Sequence, residues 1–218
     1  MRVPDFSLYL ITDRKLTVFA DMISVVREAL LGGVKAVQLR EKDISAAELF
    51  GLAKSLRKIT EDHGAKLLVN DRVDIALAVR ADGVHLGKNS MPVQDARKIL
   101  GASSLIGYSA HGIEEALAAE QKGADMITFG PVYYTKSKAG YGPPLGIEKL
   151  RQVSSLLRIP VYALGGVTAE NIVEIASSGV AGVALVSAIM ADADPAAAAR
   201  KLIFKMNRHA TFSGTTHT

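Results

Sequence analysis

A chain of 218 residues, 49% of them apolar, is long enough to bury one substantial core, so one domain is the default. The formal charge of +4 is spread along the chain with neither a basic cluster nor an aromatic ladder, which argues against a nucleic-acid partner. The absence of cysteine excludes disulfides, thiolate metal sites and thiol nucleophiles.

Taken in chain order, short β-rich runs occupy Leu8–Ile11, Ala36–Leu39, Lys66–Val69, Gly83–Leu86, Leu105–Tyr108, Met126–Phe129, Val161–Leu164 and Gly182–Val186. The segments between them carry helical periodicity. It is clearest where Leu49, Leu52, Ala53, Leu56 and Ile59 share a face behind Ser45-Ala46-Ala47-Glu48, which has the spacing of a capping box. Pro92 and Pro195 stand where first helical turns would begin, and Gly101 and Gly179 where helices would end. A weak repeat, Gly33-Val34-Lys35-Ala36-Val37, Gly123-Ala124-Asp125-Met126-Ile127 and Gly179-Val180-Ala181-Gly182-Val183, reads each time as a helix end turning into a strand. Such alternation fits an open doubly wound sheet as well as a barrel. Eight units with no evident switch point favour closure: an α/β fold, a single-domain (β/α)8 TIM barrel over residues 1–208, with a flexible tail over 209–218. The apolar runs at Leu8–Ile11 and around 179–190 are too short for a signal-peptide core or a bilayer span, so a soluble cytoplasmic protein with no membrane partner is expected.

In a barrel the chemistry sits at the C-terminal ends of the strands and in the loops after them. Polar residues concentrate there: Arg40, Glu41 and Lys42 after the second strand, Asn70 and Asp71 after the third, Ser109 and His111 after the fifth. Alternation in an extended segment sends Arg40 and Lys42 to one side, toward a polyanion such as a diphosphate. Asp71 either holds Mg2+ through a hard carboxylate oxygen or caps the following helix; spacing leaves both open. The connection from Gly130 to Gly146, with Thr135, Ser137 and Lys138, has the length of a substrate-contacting loop. Gly165-Gly166 after the seventh strand and Val186-Ser187 after the eighth occupy the barrel's usual phosphate-loop positions. His85, among Val84, Leu86 and Gly87, reads as a hydrogen-bonded core or rim residue, and His111 as the start of a helix.

Gln38-Leu39-Arg40-Glu41-Lys42, Asn70-Asp71, Gly83-Val84-His85-Leu86-Gly87, Ser109-Ala110-His111, Phe129-Gly130-Pro131-Val132-Tyr133, Thr135-Lys136-Ser137-Lys138 and Gly165-Gly166 together resemble the thiamine-phosphate synthase family, in order and over nearly the whole chain. The resemblance implies a transferase of thiamine biosynthesis that joins hydroxymethylpyrimidine diphosphate to thiazole phosphate and releases pyrophosphate. It places Gln38, Arg40, Lys42, Asn70 and Lys138 on the pyrimidine diphosphate, within substrate-binding segments that include Leu39, Glu41 and Lys136. Ser109 falls near the pyrimidine, and Thr135, Ser137, Gly166, Val186 and Ser187 in the thiazole-phosphate pocket. Arg40, Lys42, Ser109 and Lys138 are the catalytic candidates, Asp71 the metal ligand and Mg2+ the cofactor. Three residues after Gly87, where the family's synthases carry a second magnesium-binding Asp, this chain has Ser90. The related thiazole tautomerases use a His directly after the Phe-Gly of the sixth strand, where this chain has Pro131. Synthase activity is therefore the leading expectation, with a tautomerase or a barrel that only binds thiamine precursors as alternatives. The partners expected are the two phosphorylated small molecules, and a homo-oligomer stays open.

Overall fold

A computed structural model describes residues 4–17, 19–135 and 142–212, with 208–212 as backbone only. Eight parallel strands close into a barrel in sequence order. They are β1 (Leu8–Ile11), β2 (Ala36–Leu39), β3 (Lys66–Asn70), β4 (Gly83–Leu86), β5 (Leu105–Ala110), β6 (Met126–Phe129), β7 (Val161–Leu164) and β8 (Gly182–Leu185). The pairing of β1 with β8, Tyr9 opposite Ala184, removes the edges that an open sheet would keep. Between the strands lie α1 (Met22–Leu31), α2 (Ala46–Asp62), α3 (Val73–Ala78), α4 (Val93–Leu100), α5 (Ile113–Gln121), α6 (Gly146–Leu156) and α7 (Ile172–Ala176). The short α8 (Ser187–Met190) and the long α9 (Pro195–Phe212) complete the ring. The backbone of α9 continues past residue 208 to Phe212; of the expected tail, 213–218 lie outside the described residues.

Strand parity divides the core in two. Tyr9, Ile11, Ala36, Leu68, Leu105, Met126, Tyr162 and Ala184 point inward and fill the barrel, while Leu8, Leu10, Val37, Leu39, Leu67, Val69, Val84 and Ile106 point outward beneath the helices. Both faces of most strands are buried, which accounts for the near-continuous apolar runs in the sequence. Ser45 and Glu48 form the expected capping box at the start of α2. The repeated αβ turns use Gly33, Gly123 and Gly179 at positive φ, a conformation other residues rarely adopt.

The face opposite the site is stapled by two acids, Asp82 half-buried and Asp125 buried. Asp82, before β4, accepts the Leu67 N–H at 2.9 Å and pairs with Arg57 and Lys66 at 2.6 and 2.9 Å. Asp125, before β6, accepts the Ile106 N–H at 2.7 Å and pairs with Arg97. Each ties a turn to the strand before it, and so sets the register that positions the opposite ends. Among the described residues no helix is long and apolar enough to cross a membrane.

Candidate active site

Inward parity carried one step further along β2, β3, β4, β5 and β6 brings Gln38, Asn70, His85, Ser109 and Thr128 to the mouth of the barrel. They replace apolar side chains with a polar layer. The register sets Asn70 beside His85, His85 beside Gly107 and Ser109 beside Thr128. A Cβ on Gly107 would lie 2.4 Å from His85 Nδ1, so glycine there makes room for the imidazole.

The buried members of this layer are hydrogen-bonded to one another, as burial of polar groups requires. Gln38 Nε2 donates to Tyr9 Oη at 3.0 Å, and Tyr9 Oη lies 3.3 Å from His85 Nδ1. His85 Nε2 is 2.9 Å from Ser109 Oγ and 3.2 Å from Thr128 Oγ1, which are 3.1 Å from each other. Tyr9 Oη has one proton, and since it accepts from Gln38 that proton goes to Nδ1. Nε2 is then the protonated nitrogen and donates toward Ser109 and Thr128. Burial pushes the His85 pKa down to about 3, with the Arg40 charge adding to the effect against an opposing pull from Asp71. The imidazole is therefore neutral at physiological pH and acts as a connector between Gln38 on one side of the mouth and Ser109 on the other. Tyr9 and Thr128 were not among the residues singled out from sequence. The signal they carried was a polar atom at an inward position of an apolar strand.

At the end of β2 the chain continues to alternate. Arg40 is half-buried, and among the described residues its guanidinium has no hydrogen-bond or ion-pair partner; Lys42 Nζ lies 3.3 Å from Asp71 Oδ2. Glu41 is buried and turns to the other side, onto the loop after β1. Leu39 is buried beneath the helices, so only its backbone faces the mouth.

Asp71 follows β3 with φ of 62°, an uncommon conformation for a residue other than glycine and one found often at functional positions. Its N–H donates to the His85 carbonyl at 3.0 Å, which fixes the turn. The carboxylate accepts from Asn70 Nδ2 at 2.7 Å and from the Ser90 hydroxyl, and Ser90 Oγ in turn accepts the Gly87 N–H at 2.7 Å. Burial opposes ionisation, but Ser90, Lys42 and Asn70 outweigh it and hold the Asp71 pKa below the usual value. No group of three or more His, Cys, Asp or Glu that could hold a metal occurs among the described residues. One carboxylate with a neutral hydroxyl beside it nevertheless suits Mg2+, which takes few protein carboxylates and fills its octahedron with water and phosphate oxygens.

Across the mouth, Gly165 and Gly166 follow β7 at φ of 95° and 67°. A Cβ on Gly166 would meet Tyr133 Cβ at 2.6 Å, and one on Gly165 would meet Pro131 Cβ at 2.7 Å, so the paired glycines let this loop lie directly on the segment after β6. Val132 and Tyr133 N–H donate to Leu164 and Gly165 carbonyls at 2.9 and 3.1 Å, and Tyr133 Oη donates to Glu174 at 2.5 Å. Thr135 is half-buried just beyond, while Lys136, Ser137 and Lys138 lie outside the described residues. Val186 is half-buried next to β8, and Ser187, exposed, opens α8. Pro131, where a tautomerase would carry its acid-base His, offers no titratable group, and His111 Nδ1 is held against the Gly130 carbonyl.

The family model for thiamine monophosphate synthase matches residues 8–189. A Geobacter sulfurreducens protein described as "Putative thiamine-phosphate synthase" is 56% identical over 199 residues, spanning 91% of this chain and 93% of that one. The thiamine-phosphate synthase of Moorella thermoacetica is 42% identical over 200 residues, spanning 92% and 95%. Among solved structures, thiamine phosphate pyrophosphorylase from Pyrococcus furiosus superposes with a TM-score of 0.86 at 39% identity over 94% of this chain and 96% of that one. The 3-hexulose-6-phosphate synthase of Salmonella typhimurium, at 18% identity and a TM-score of 0.70, shares the fold alone. With the match running from the first barrel strand into α8 and identity this high over nine-tenths of the chain, this protein belongs to the thiamine-phosphate synthase family of transferases.

Proposed function

We propose that this rim joins hydroxymethylpyrimidine diphosphate to a thiazole phosphate to give thiamine phosphate and pyrophosphate. The observation that carries the reading is Arg40, a half-buried residue on the same rim as Lys42 and Asn70, whose guanidinium has no protein partner among the described residues. A guanidinium with no protein partner is available to a ligand, and its bidentate fork suits a diphosphate.

In the reaction the bond between the pyrimidine methylene carbon and the diphosphate oxygen breaks, and pyrophosphate leaves with the electron pair. The thiazole nitrogen then donates its lone pair to the methylene carbon, forming the new C–N bond. Arg40 and Lys42 meet the charge that develops on the leaving group. Gln38 and Ser109, held by the Tyr9 and His85 connector, face the pyrimidine from two sides and keep it aligned with the incoming nitrogen. Gly166, Val186 and Ser187, with Thr135, form the pocket for the thiazole phosphate; Lys138, which the family resemblance assigns to the diphosphate, lies outside the described residues. Asp71, with Asn70 and Ser90 around it, would hold Mg2+ together with phosphate oxygens and water; bound there, the ion would neutralise part of the departing charge.

The test is turnover by the purified protein with both substrates and Mg2+, read as thiamine phosphate by chromatography. Product is expected, with kcat/KM falling about 100-fold or more in Arg40→Ala. Saturable binding of thiazole phosphate without any product would overturn the synthase reading in favour of a barrel that only binds.

A further inference from the structure

Arg40 and Lys42 are each followed by an acid, Glu41 and Asp43, whose carboxylates stand close enough along the chain to compete with a diphosphate for the two cations. The fold separates them. Among the described residues Arg40 pairs with neither acid and Lys42 reaches toward Asp71, whereas Glu41 and Asp43 turn to the loop that follows β1. There Arg14 bridges both. Its Nη1 lies 3.0 Å from Glu41 Oε2 and 2.6 Å from Asp43 Oδ1, and its Nη2 lies 3.1 Å from Asp43 Oδ2. Lys15 Nζ adds a contact to Asp43 at 2.6 Å.

Glu41 is held further by the Thr12 hydroxyl at 2.8 Å and the Arg14 backbone N–H at 3.1 Å. Thr12 Oγ1, fully buried, accepts the Arg40 N–H at 2.9 Å. One buried hydroxyl therefore joins the backbone from which Arg40 projects to the acid beside it. The Glu41 side chain is 2% exposed and that of Arg14 33%, so this pairing is screened far less than a surface ion pair.

We propose that Arg14, acting through Glu41, Asp43 and Thr12, is a positioning residue for the diphosphate clamp: it takes up the two neighbouring acids so that Arg40 and Lys42 keep their charge for the polyphosphate. The proposal rests on the synthase reading above. A residue that merely braced the loop would affect both substrates alike and would not respond to the charge on Asp43. One that offsets the acids affects the diphosphate selectively, and removing an acid compensates for its loss.

The experiment compares wild type, Arg14→Met, Arg14→Lys, Asp43→Asn and the double variant Arg14→Met/Asp43→Asn as full-length proteins. It reads binding of inorganic pyrophosphate with Mg2+ by calorimetry and KM for each substrate. Arg14→Met is expected to weaken pyrophosphate binding and raise KM for the pyrimidine diphosphate about ten-fold, with KM for the thiazole phosphate changed by less than about two-fold. The double variant recovers part of the loss, since Glu41 still lacks its cation, and Arg14→Lys, which keeps the charge without the fork, falls between wild type and Arg14→Met. Wild-type pyrophosphate affinity in Arg14→Met, or a parallel rise in both KM values that Asp43→Asn does not relieve, overturns the proposal. Should Arg14→Met fail to unfold cooperatively, Arg14→Lys and Asp43→Asn decide. Asp43→Asn must bind pyrophosphate at least as tightly as wild type, and weaker binding refutes the charge argument. A wild type that neither binds pyrophosphate nor forms product removes the synthase reading and this proposal together. An active wild type with an unaffected Arg14→Met removes only the latter.

Discussion

Replacing His85 probes the connection between the two sides of the mouth, because the imidazole is buried and neutral and its contribution is hydrogen bonding and shape, with no charge to lose. His85→Phe removes the bond to Tyr9 Oη at 3.3 Å and the one shared by Ser109 and Thr128 at 2.9 and 3.2 Å. None of the three hydroxyls is left wholly without a partner, since Tyr9 keeps Gln38 and Ser109 keeps Thr128. Two lost bonds at about 1 kcal/mol each, plus about 1 kcal/mol for pressing a six-membered ring toward Gly107, give a destabilisation of about 3 kcal/mol. In a domain of this size that lowers Tm by about 6–12 °C. The conservative replacements separate the two halves. A glutamine amide reaches toward the position of Nε2 and retains Ser109, whereas an asparagine amide stands near Nδ1 and retains Tyr9. Each should cost about half as much in stability. His85→Asn should lose about ten-fold more kcat/KM than His85→Gln, because Ser109 is then held by Thr128 alone. Urea and thermal unfolding with steady-state kinetics on the three variants make the comparison. A His85→Phe protein with wild-type stability and kcat/KM would refute the role assigned to the network.

Three other outcomes are expected. Ser90→Asp places a second carboxylate beside Asp71 and should tighten Mg2+ binding about ten-fold in the presence of pyrophosphate, measured by calorimetry; unchanged affinity would remove Ser90 from the metal environment. Gly166→Ala puts a methyl 2.6 Å from Tyr133 Cβ on a backbone at φ 67°, so about 2 kcal/mol of stability should be lost together with affinity for the thiazole phosphate, while pyrophosphate binding stays at the wild-type level. Asp82 is held below its ordinary pKa: burial opposes ionisation, but the Leu67 N–H, Arg57 and Lys66 outweigh it. Its contribution is therefore present above the unfolded-state value of about 3.9 and is lost as pH falls through the folded value. Asp82→Asn should cost about 2 kcal/mol at pH 7, and the difference from wild type should shrink toward zero on acidification; a gap that is constant with pH would mean that the carboxylate charge is not what matters.

Strand positions were legible from the sequence because burial on both faces writes each strand as a short apolar run. The expected Ala36–Leu39, Met126–Phe129 and Val161–Leu164 coincide with β2, β6 and β7, and the differences are confined to ends such as Asn70 and Ala110. Helix ends were legible for a similar reason, since the capping bonds of Ser45 and Glu48 are made within three residues. The clustering of Arg40, Lys42, Asn70, Asp71 and Ser109 on one rim follows from strand direction alone, because in a parallel barrel every strand ends on the same side.

Local pattern could not decide which side chains meet across that rim. Tyr9 and His85 are 76 residues apart in the chain, and Thr12 and Glu41 are 29 apart. Their contact depends on closure and on a register that every strand contributes to. Sequence likewise left open whether Arg40 and Lys42 would pair with Glu41 and Asp43. The outcome turned on Arg14, which only the pairing of β1 with β2 brings beside both acids. The sequence by itself thus determined the elements, their order and the rim's chemical inventory, because these arise from interactions a few residues apart. The tertiary structure decided that Arg14 takes up Glu41 and Asp43 and which hydroxyls meet across the mouth, because those contacts exist only once the barrel has closed.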